Sequence, residues 1–214
     1  MKNAILGAAI LCLMATACKK EENQITTPIQ NPPVNQSVAY FPLDSGSYWV
    51  FEHVSIDTNG NETFLQTDSV RIMGDSVIGG NTYKIFKNWG FSFFSGLYRD
   101  SANCIVNEVG DIVFAANMLG QPISFRRDSD ASVGLILAST DSMQTAMRTV
   151  NVAAGSFNTF ERSTFTTFYI PAVGGNPRRM LSNFAEGIGF VRNQYAYASQ
   201  TSYVERRLLR YNIQ

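Results

Sequence analysis

"YWVFEHVSIDTNGNETFLQTDSVRIM", residues 48–73, decides the fold. Apolar and aromatic residues alternate with polar ones from Tyr48 to Asp57 and again from Glu62 to Met73. Between them "DTNGN" supplies Asn59-Gly60, which accepts the positive backbone φ that a tight hairpin needs. A period of two broken by such a turn reads as an antiparallel hairpin with one buried face.

The same pattern runs outward from this hairpin. Gly74-Asp75 reads as a turn before a short strand, Gly79-Gly80 as the next turn, and Thr82–Trp89 as a strand with Tyr83, Ile85 and Trp89 on one face. Further strands are expected at 96–100, 103–108, 112–116, 145–153, 159–170, 179–185, 189–198 and 201–213. In the last, Arg206 and Arg210 share a face opposite Tyr203, Leu209, Tyr211 and Ile213. Gly174-Gly175-Asn176-Pro177 reads as a loop and "ASQTS", residues 198–202, as the final turn. Residues 117–142 are ambiguous, since "ASVGLILA" fits a buried strand or a short helix. Strands recurring every 8 to 14 residues give an all-β class: an antiparallel meander forming a curved open barrel, a carrier-like half-barrel, or alternatively a β-sandwich.

Composition narrows the function. Charged residues are 16% of the 214, and 17 Lys plus Arg balance 17 Asp plus Glu, so no overall field gathers nucleic acid. The 15 Phe, 9 Tyr and 2 Trp agree with sheet.

The N-terminus reads as an export signal. Met1-Lys2-Asn3 precedes an uncharged run from Ala4 to Ala17, too short to span a bilayer as a helix. Ala15-Thr16-Ala17 then stands before Cys18, which resembles a bacterial lipobox, with Ala15 in the place usually held by Leu. That resemblance implies removal of residues 1–17 and attachment of a diacylglycerol and a further acyl chain, palmitate-like, to Cys18. Loss of Cys12 with the signal and lipidation of Cys18 leave Cys104 alone, so no internal disulfide is expected. Acyl chains in excess of two anchor stably. Lys19-Lys20-Glu21-Glu22 resembles the signal that sends Bacteroidota lipoproteins to the outer face of the outer membrane; an ordinary solvated tether has the same composition. Residues 18–39 form an expected disordered, proline-containing tether, and residues 40–214 a single all-β domain.

"YFPLDSGSYWVFE", "GDSVIGGNTYKIF", "VNVAAGSFNTF" and "EGIGFVRNQY" resemble segments of Bacteroidota-type all-β outer-membrane and surface lipoproteins. The resemblance spans most of residues 40–213. It implies an extracytoplasmic all-β domain and no activity.

Chemistry is sparse. His53 is the lone histidine, in an expected strand, and no Gly-x-Ser-x-Gly elbow frames a nucleophile. No cysteine pair has metal-ligand spacing, and no cofactor motif is present. The expectation is a non-enzymatic module with no metal and no cofactor. Seven of the nine aspartates precede Ser or Thr, which fits turn chemistry. Four of these sites also resemble Bacteroidota O-glycosylation motifs and make Ser69, Ser76, Ser101 and Ser142 candidates. Two functions compete: binding of an apolar or amphipathic ligand, a lipid or a glycan, and service as a structural partner in an envelope protein assembly. Ligand binding predicts that some of Trp49, Phe51, Tyr83, Trp89, Phe165, Tyr195 and Tyr203 line a concave face and not a closed core.

Overall fold

The computed structural model of the chain describes residues 36–89, 95–169, 177–196 and 200–214. Cys18, the signal and most of the tether lie outside these residues, as do the loop residues 174–176 and part of the expected final turn.

Among the described residues a short helix α1 (Gln36–Ala39) precedes thirteen strands. The first half holds β1 (Tyr48–Ile56), β2 (Glu62–Ile78), β3 (Asn81–Trp89), β4 (Gly96–Ser101), β5 (Cys104–Asn107) and β6 (Ile112–Phe114). The second holds β7 (Pro122–Asp130), β8 (Gly134–Met143), β9 (Arg148–Val152), β10 (Gly155–Phe168), β11 (Arg178–Ala185), β12 (Gly189–Tyr195) and β13 (Tyr203–Asn212). All pairings are antiparallel and belong to one sheet, ordered β6-β5-β4-β3-β2-β1-β13-β12-β11-β10-β8-β7, with β9 beside β10. The sheet curls until its edge strands β6 and β7 approach each other. It is an open barrel with a seam, so the barrel expectation holds over the sandwich. It departs from a simple meander because β1 and β13 pair, which fastens the two halves together mid-sheet.

Turn chemistry follows the sequence. Asp57 accepts from the amides of Asn59 and Asn61, both at 2.8 Å, and Gly60 takes φ +82°. Gly74-Asp75, in contrast, does not end a strand. β2 runs through it with a break in register between Ile72 and Asp75, a bulge in place of a turn. The ambiguous 117–142 stretch is the hairpin β7–β8, and "GLILA" is strand.

The barrel interior at one end is a ring cluster. Phe41 lies 5.5 Å from Phe86, 5.4 Å from Tyr98 and 5.1 Å from Phe190, rings contributed by β3, β4 and β12. Phe184 packs between Phe114, at 4.7 Å, and Phe190, at 4.6 Å, tilted to both. Phe41 thus plugs the space between opposite walls. Burying each such ring contributes about 2–3 kcal/mol. The plug is pinned by Ser37, which composition had placed in the tether. Ser37 is fully buried, its amide donates to Asn103 Oδ1 at 3.1 Å, and its hydroxyl accepts from the Ala116 amide at 3.0 Å. Folded structure therefore begins by Gln36, ahead of the expected boundary at Tyr40.

Trp49 closes the cluster, its indole N–H donating to the Ile188 carbonyl at 2.6 Å. That turn needs Gly189, whose φ is +87° and where a Cβ would meet Pro42 at 3.1 Å. On β3 the core residue is Phe86, opposite in phase to Tyr83, Ile85 and Trp89. Cys104 is a buried free thiol, as a small apolar core residue. Burial, and then Asp100, push its pKa up and keep it protonated.

Candidate functional site

Beyond the rings the interior turns polar. On β1, Trp49, Phe51 and His53 point inward by alternation, and His53 is buried. Facing it are Asp68 of β2 and Arg206 of β13, both buried. Arg206 grips Asp68 with Nε at 3.1 Å and Nη2 at 2.7 Å from each carboxylate oxygen. The Asn88 amide donates to Asp68 Oδ2 at 3.1 Å. His53 Nε2 comes within 3.1 Å of the same oxygen, close but without hydrogen-bond alignment. His53 Nδ1 meets the Tyr195 hydroxyl at 2.9 Å. The consistent tautomer carries its proton on Nε2, toward the carboxylate, and accepts from Tyr195 at Nδ1. Arg206 also lies 4.0 Å from the Phe51 ring centroid, joining the polar layer to the apolar one.

The electrostatics are closed. Burial opposes ionisation of Asp68, but the partners His53, Arg206 and Asn88 outweigh it and hold its pKa below the usual carboxylate range. Burial pulls the Arg206 pKa down, against the pull of Asp68. One cation and one anion neutralise each other. The His53, Asp68 and Arg206 side chains are 2%, 0% and 3% exposed, so no substrate reaches them. Among the described residues, the hydroxyl that meets this His–Asp pair is that of Tyr195, hydrogen-bonded to His53.

Sequence alternation put Arg206 and Arg210 on one face, and the structure separates them. Between Val50 and Phe51 the β1–β13 register shifts: Val50 pairs with Arg210 and Phe51 with Leu208, so Leu209 is the extra residue. The bulge reverses the phase, turning Arg206 inward and Arg210 outward.

Outside the barrel this produces a groove of about 580 Å3 across β13, β1, β2 and β3. Arg210, Val50, Ser69 and Trp89 form one row by register, and Tyr48 and Arg71 begin the next. Lys87 Nζ lies 5.3 Å over the Trp89 ring. A second concavity, about 530 Å3, lies at the seam between β6 and β7–β8–β10. Most of its charged side chains have hydrogen-bond partners, and Arg127 lies over the Phe125 ring. Arg126 binds Asp128 at 2.8 and 2.5 Å, Asp141 accepts from the Thr164 hydroxyl, and Arg162 donates to the Val113 carbonyl at 2.9 Å.

Of the expected aromatic lining, Trp89 reaches the outer groove and the other six lie elsewhere. Trp49 and Phe51 belong to the closed interior, beside an apolar space of only about 10 Å3, too little for more than one water. Tyr83 is buried beneath the Arg99 guanidinium, Tyr195 serves His53, and Tyr203 is half-buried. Trp89 and Phe165 are exposed, Trp89 in the outer groove and Phe165 in a row with Thr140 and Phe125 on β10, β8 and β7. The physical reason is that α1 and Phe41 fill the lumen that a carrier would leave open.

Ser69 and Ser76 lie within β2, Ser101 ends β4 and Ser142 lies in β8, all half-buried strand positions instead of turns. Beside Ser69, the acid of the motif is Asp68, which faces inward to Arg206. The sequence reading missed the Asp68–Arg206 pair. Its only signal was a charge on the apolar phase of a strand.

No protein-family model and no curated protein matches the sequence. Among solved structures, the chain is similar to one named as a lipoprotein from Parabacteroides distasonis, at 12% identity and TM-score 0.44. It is also similar to an exported protein with a YmcC-like fold from Bacteroides fragilis, at 14% identity and TM-score 0.45. Each match covers 81% of this chain and 98% of the other. Likeness at this level transfers no function.

Proposed function

We propose that this chain is an exported, lipid-anchored, non-catalytic module of the cell envelope that works through its outer surface. The anchor rests on the lipobox-like Ala15-Thr16-Ala17-Cys18 and the count of cysteines. Lys19-Lys20-Glu21-Glu22 favours the outer membrane, either its periplasmic side or the cell surface. One observation carries the binding half of this reading: Phe41 and the other rings pack one end of the barrel, while a concavity of about 580 Å3 lies open on the outside. An apolar ligand in the lumen finds no room beside Trp49 and Phe51. The test is mass spectrometry of protein from its own membranes. The expected N-terminal peptide begins at an acylated Cys18; an intact Met1 or a bare Cys18 thiol would reject the anchor. Protease treatment of intact cells then decides the side: degradation marks the cell surface, protection the periplasm.

A second reading, a structural subunit, is favoured by the exposed aromatics of the other outer face. Phe125 and Phe165 flank Thr140 in one row, and Tyr169 is exposed beyond the end of β10. Such a row is a surface for a protein neighbour. Crosslinking in intact cells from positions beside Phe125 and Phe165 tests it, with capture of one reproducible envelope protein as the expected result.

A further inference from the structure

The arginines of the described residues differ in what they meet. Arg126, Arg148, Arg179, Arg192, Arg206 and Arg207 each reach a carboxylate within 4 Å. Arg99, Arg162 and Arg178 donate to carbonyl oxygens, and Arg127 lies over the Phe125 ring. Arg71 and Arg210 make no hydrogen bond, ion pair or ring contact among the described residues, and both line the outer groove. Lys87, the third cation at this place, has among the described residues only the Trp89 ring as a partner. The one carboxylate bordering the groove is Asp68, whose side chain is 0% exposed and bound from inside by Arg206. Glu52 shares the outer face of β1 with Val50 but stands in the row of Thr67, opposite Arg207, and does not line the groove, so the lining itself carries a surplus of positive charge.

The rest of the lining defines what would neutralise it. Trp89 is 46% exposed and Tyr48 lies in the next row of register, giving aromatic surface at both sides. Thr67 and Ser69 add hydroxyls on the floor. The groove is about 580 Å3, far larger than a single phosphate and in the range of small-molecule sites. Arg71 and Arg210 stand on strands separated by β1 and two residues apart in register, so their backbones lie about 12 Å apart, which suits anionic groups spread along a ligand. Planar guanidinium forks match carboxylate or phosphate, and aromatic faces stack on the C–H face of a sugar ring.

We propose that the groove across β13, β1, β2 and β3 binds an acidic oligosaccharide, with Arg71 and Arg210 pairing with its anionic groups and Trp89 stacking on a ring. This names the ligand class for the outer-surface reading above, and it does not depend on the anchor.

The full chain in detergent is titrated with oligogalacturonate, a neutral maltooligosaccharide of matched length, inorganic phosphate and oligothymidylate. Tryptophan fluorescence gives the readout, since Trp49 is buried and Trp89 is exposed. The expected result is a saturable response to oligogalacturonate, none to the neutral sugar, and weakening as salt rises. Arg71→Ala and Arg210→Ala each weaken binding about tenfold, as expected for loss of a charge-assisted hydrogen bond. Neither shifts the thermal midpoint, because both side chains are exposed and unpaired, and Arg127→Ala, outside the groove, changes nothing. The proposal is overturned by equal response to the neutral sugar, by unchanged affinity in the Arg71→Ala/Arg210→Ala double variant, or by no response at all. Tighter binding of phosphate or oligothymidylate would replace the saccharide class with a bare ion or a nucleic acid. A glycan found on Ser69 in the same preparation would overturn it as well, since the groove would be filled. An unlipidated Cys18 would sink the anchor and leave a positive titration standing.

Discussion

The two ends of the barrel interior are held by different physics. At one end Phe41, Phe114, Phe184 and Phe190 pack ring on ring around the N-terminal plug. At the other, His53, Asp68, Arg206, Asn88 and Tyr195 share one carboxylate-centred joint. The ring end tolerates a change of shape at a graded cost, because dispersion and burial are non-directional. The joint does not, because a buried charge without its partner is far costlier than a missing contact. The joint also fixes register: Asp68 and Arg206 meet only while β2, β1 and β13 keep their pairing. A slip of one residue would put both outside.

This contrast breaks first at Asp68. Asp68→Ala strands the Arg206 guanidinium in the interior and should cost about 3–5 kcal/mol in denaturant unfolding. The double variant Asp68→Leu/Arg206→Met should be more stable than Asp68→Ala alone, as an apolar pair leaves no charge unmatched. A double variant no better than the single would mean that the joint is held by more than its ion pair. Phe184→Ala should cost about 3–5 kcal/mol, while Phe184→Leu should cost roughly half or less, the graded response expected of the ring end.

Acid separates the two ends further. Asp68 is held below its usual pKa, so the unfolded chain takes up the proton first. Its contribution is present above about pH 4 and is lost as pH falls from there through the folded-state value. Thermal midpoints measured down through that window should fall steeply in the natural chain and less steeply in Asp68→Asn. Phe184→Leu should retain the full slope. Tyr195→Phe removes one hydrogen bond from His53 and should cost about 1 kcal/mol by the same unfolding measurement. The smallest effect is expected outside the barrel. Glu62 is 50% exposed and binds Arg207 at 2.9 and 2.5 Å, a pair that raises the Arg207 pKa. Exposed pairs of this kind contribute little, and Glu62→Gln should leave the midpoint within error.

Alternation and turn residues made most strands legible, from the hairpin at Asn59-Gly60 to the last strand at Tyr203. Three places were not. Gly74-Asp75 carries a turn signal yet sits inside β2, because pairing with β3 on both sides of a bulge outweighs local preference. Ser37 has the composition of a tether, and only contacts with Asn103 and Ala116 make it structure. Of the aromatic set, Trp89 reaches the outer groove and Trp49 and Phe51 the closed core, because an aromatic's phase says which face it takes, not whether that face is enclosed. The anionic pair partner of Arg206 was 138 residues away and could not be found from spacing.

By itself, the sequence determined an all-β chain of short antiparallel strands, with an N-terminal signal layout and no assembled catalytic motif. These are properties of neighbours within a dozen residues, where a period of two and a turn residue suffice. The tertiary structure decided which way each strand faces where phase is broken. One extra residue at Leu209 turns Arg206 into the interior, to meet Asp68, and Arg210 out to the groove beside Arg71. A bulge is a relation between two strands, set by the best joint register of β1 with β13. Its position is therefore fixed by the packed sheet and is not written in either strand alone.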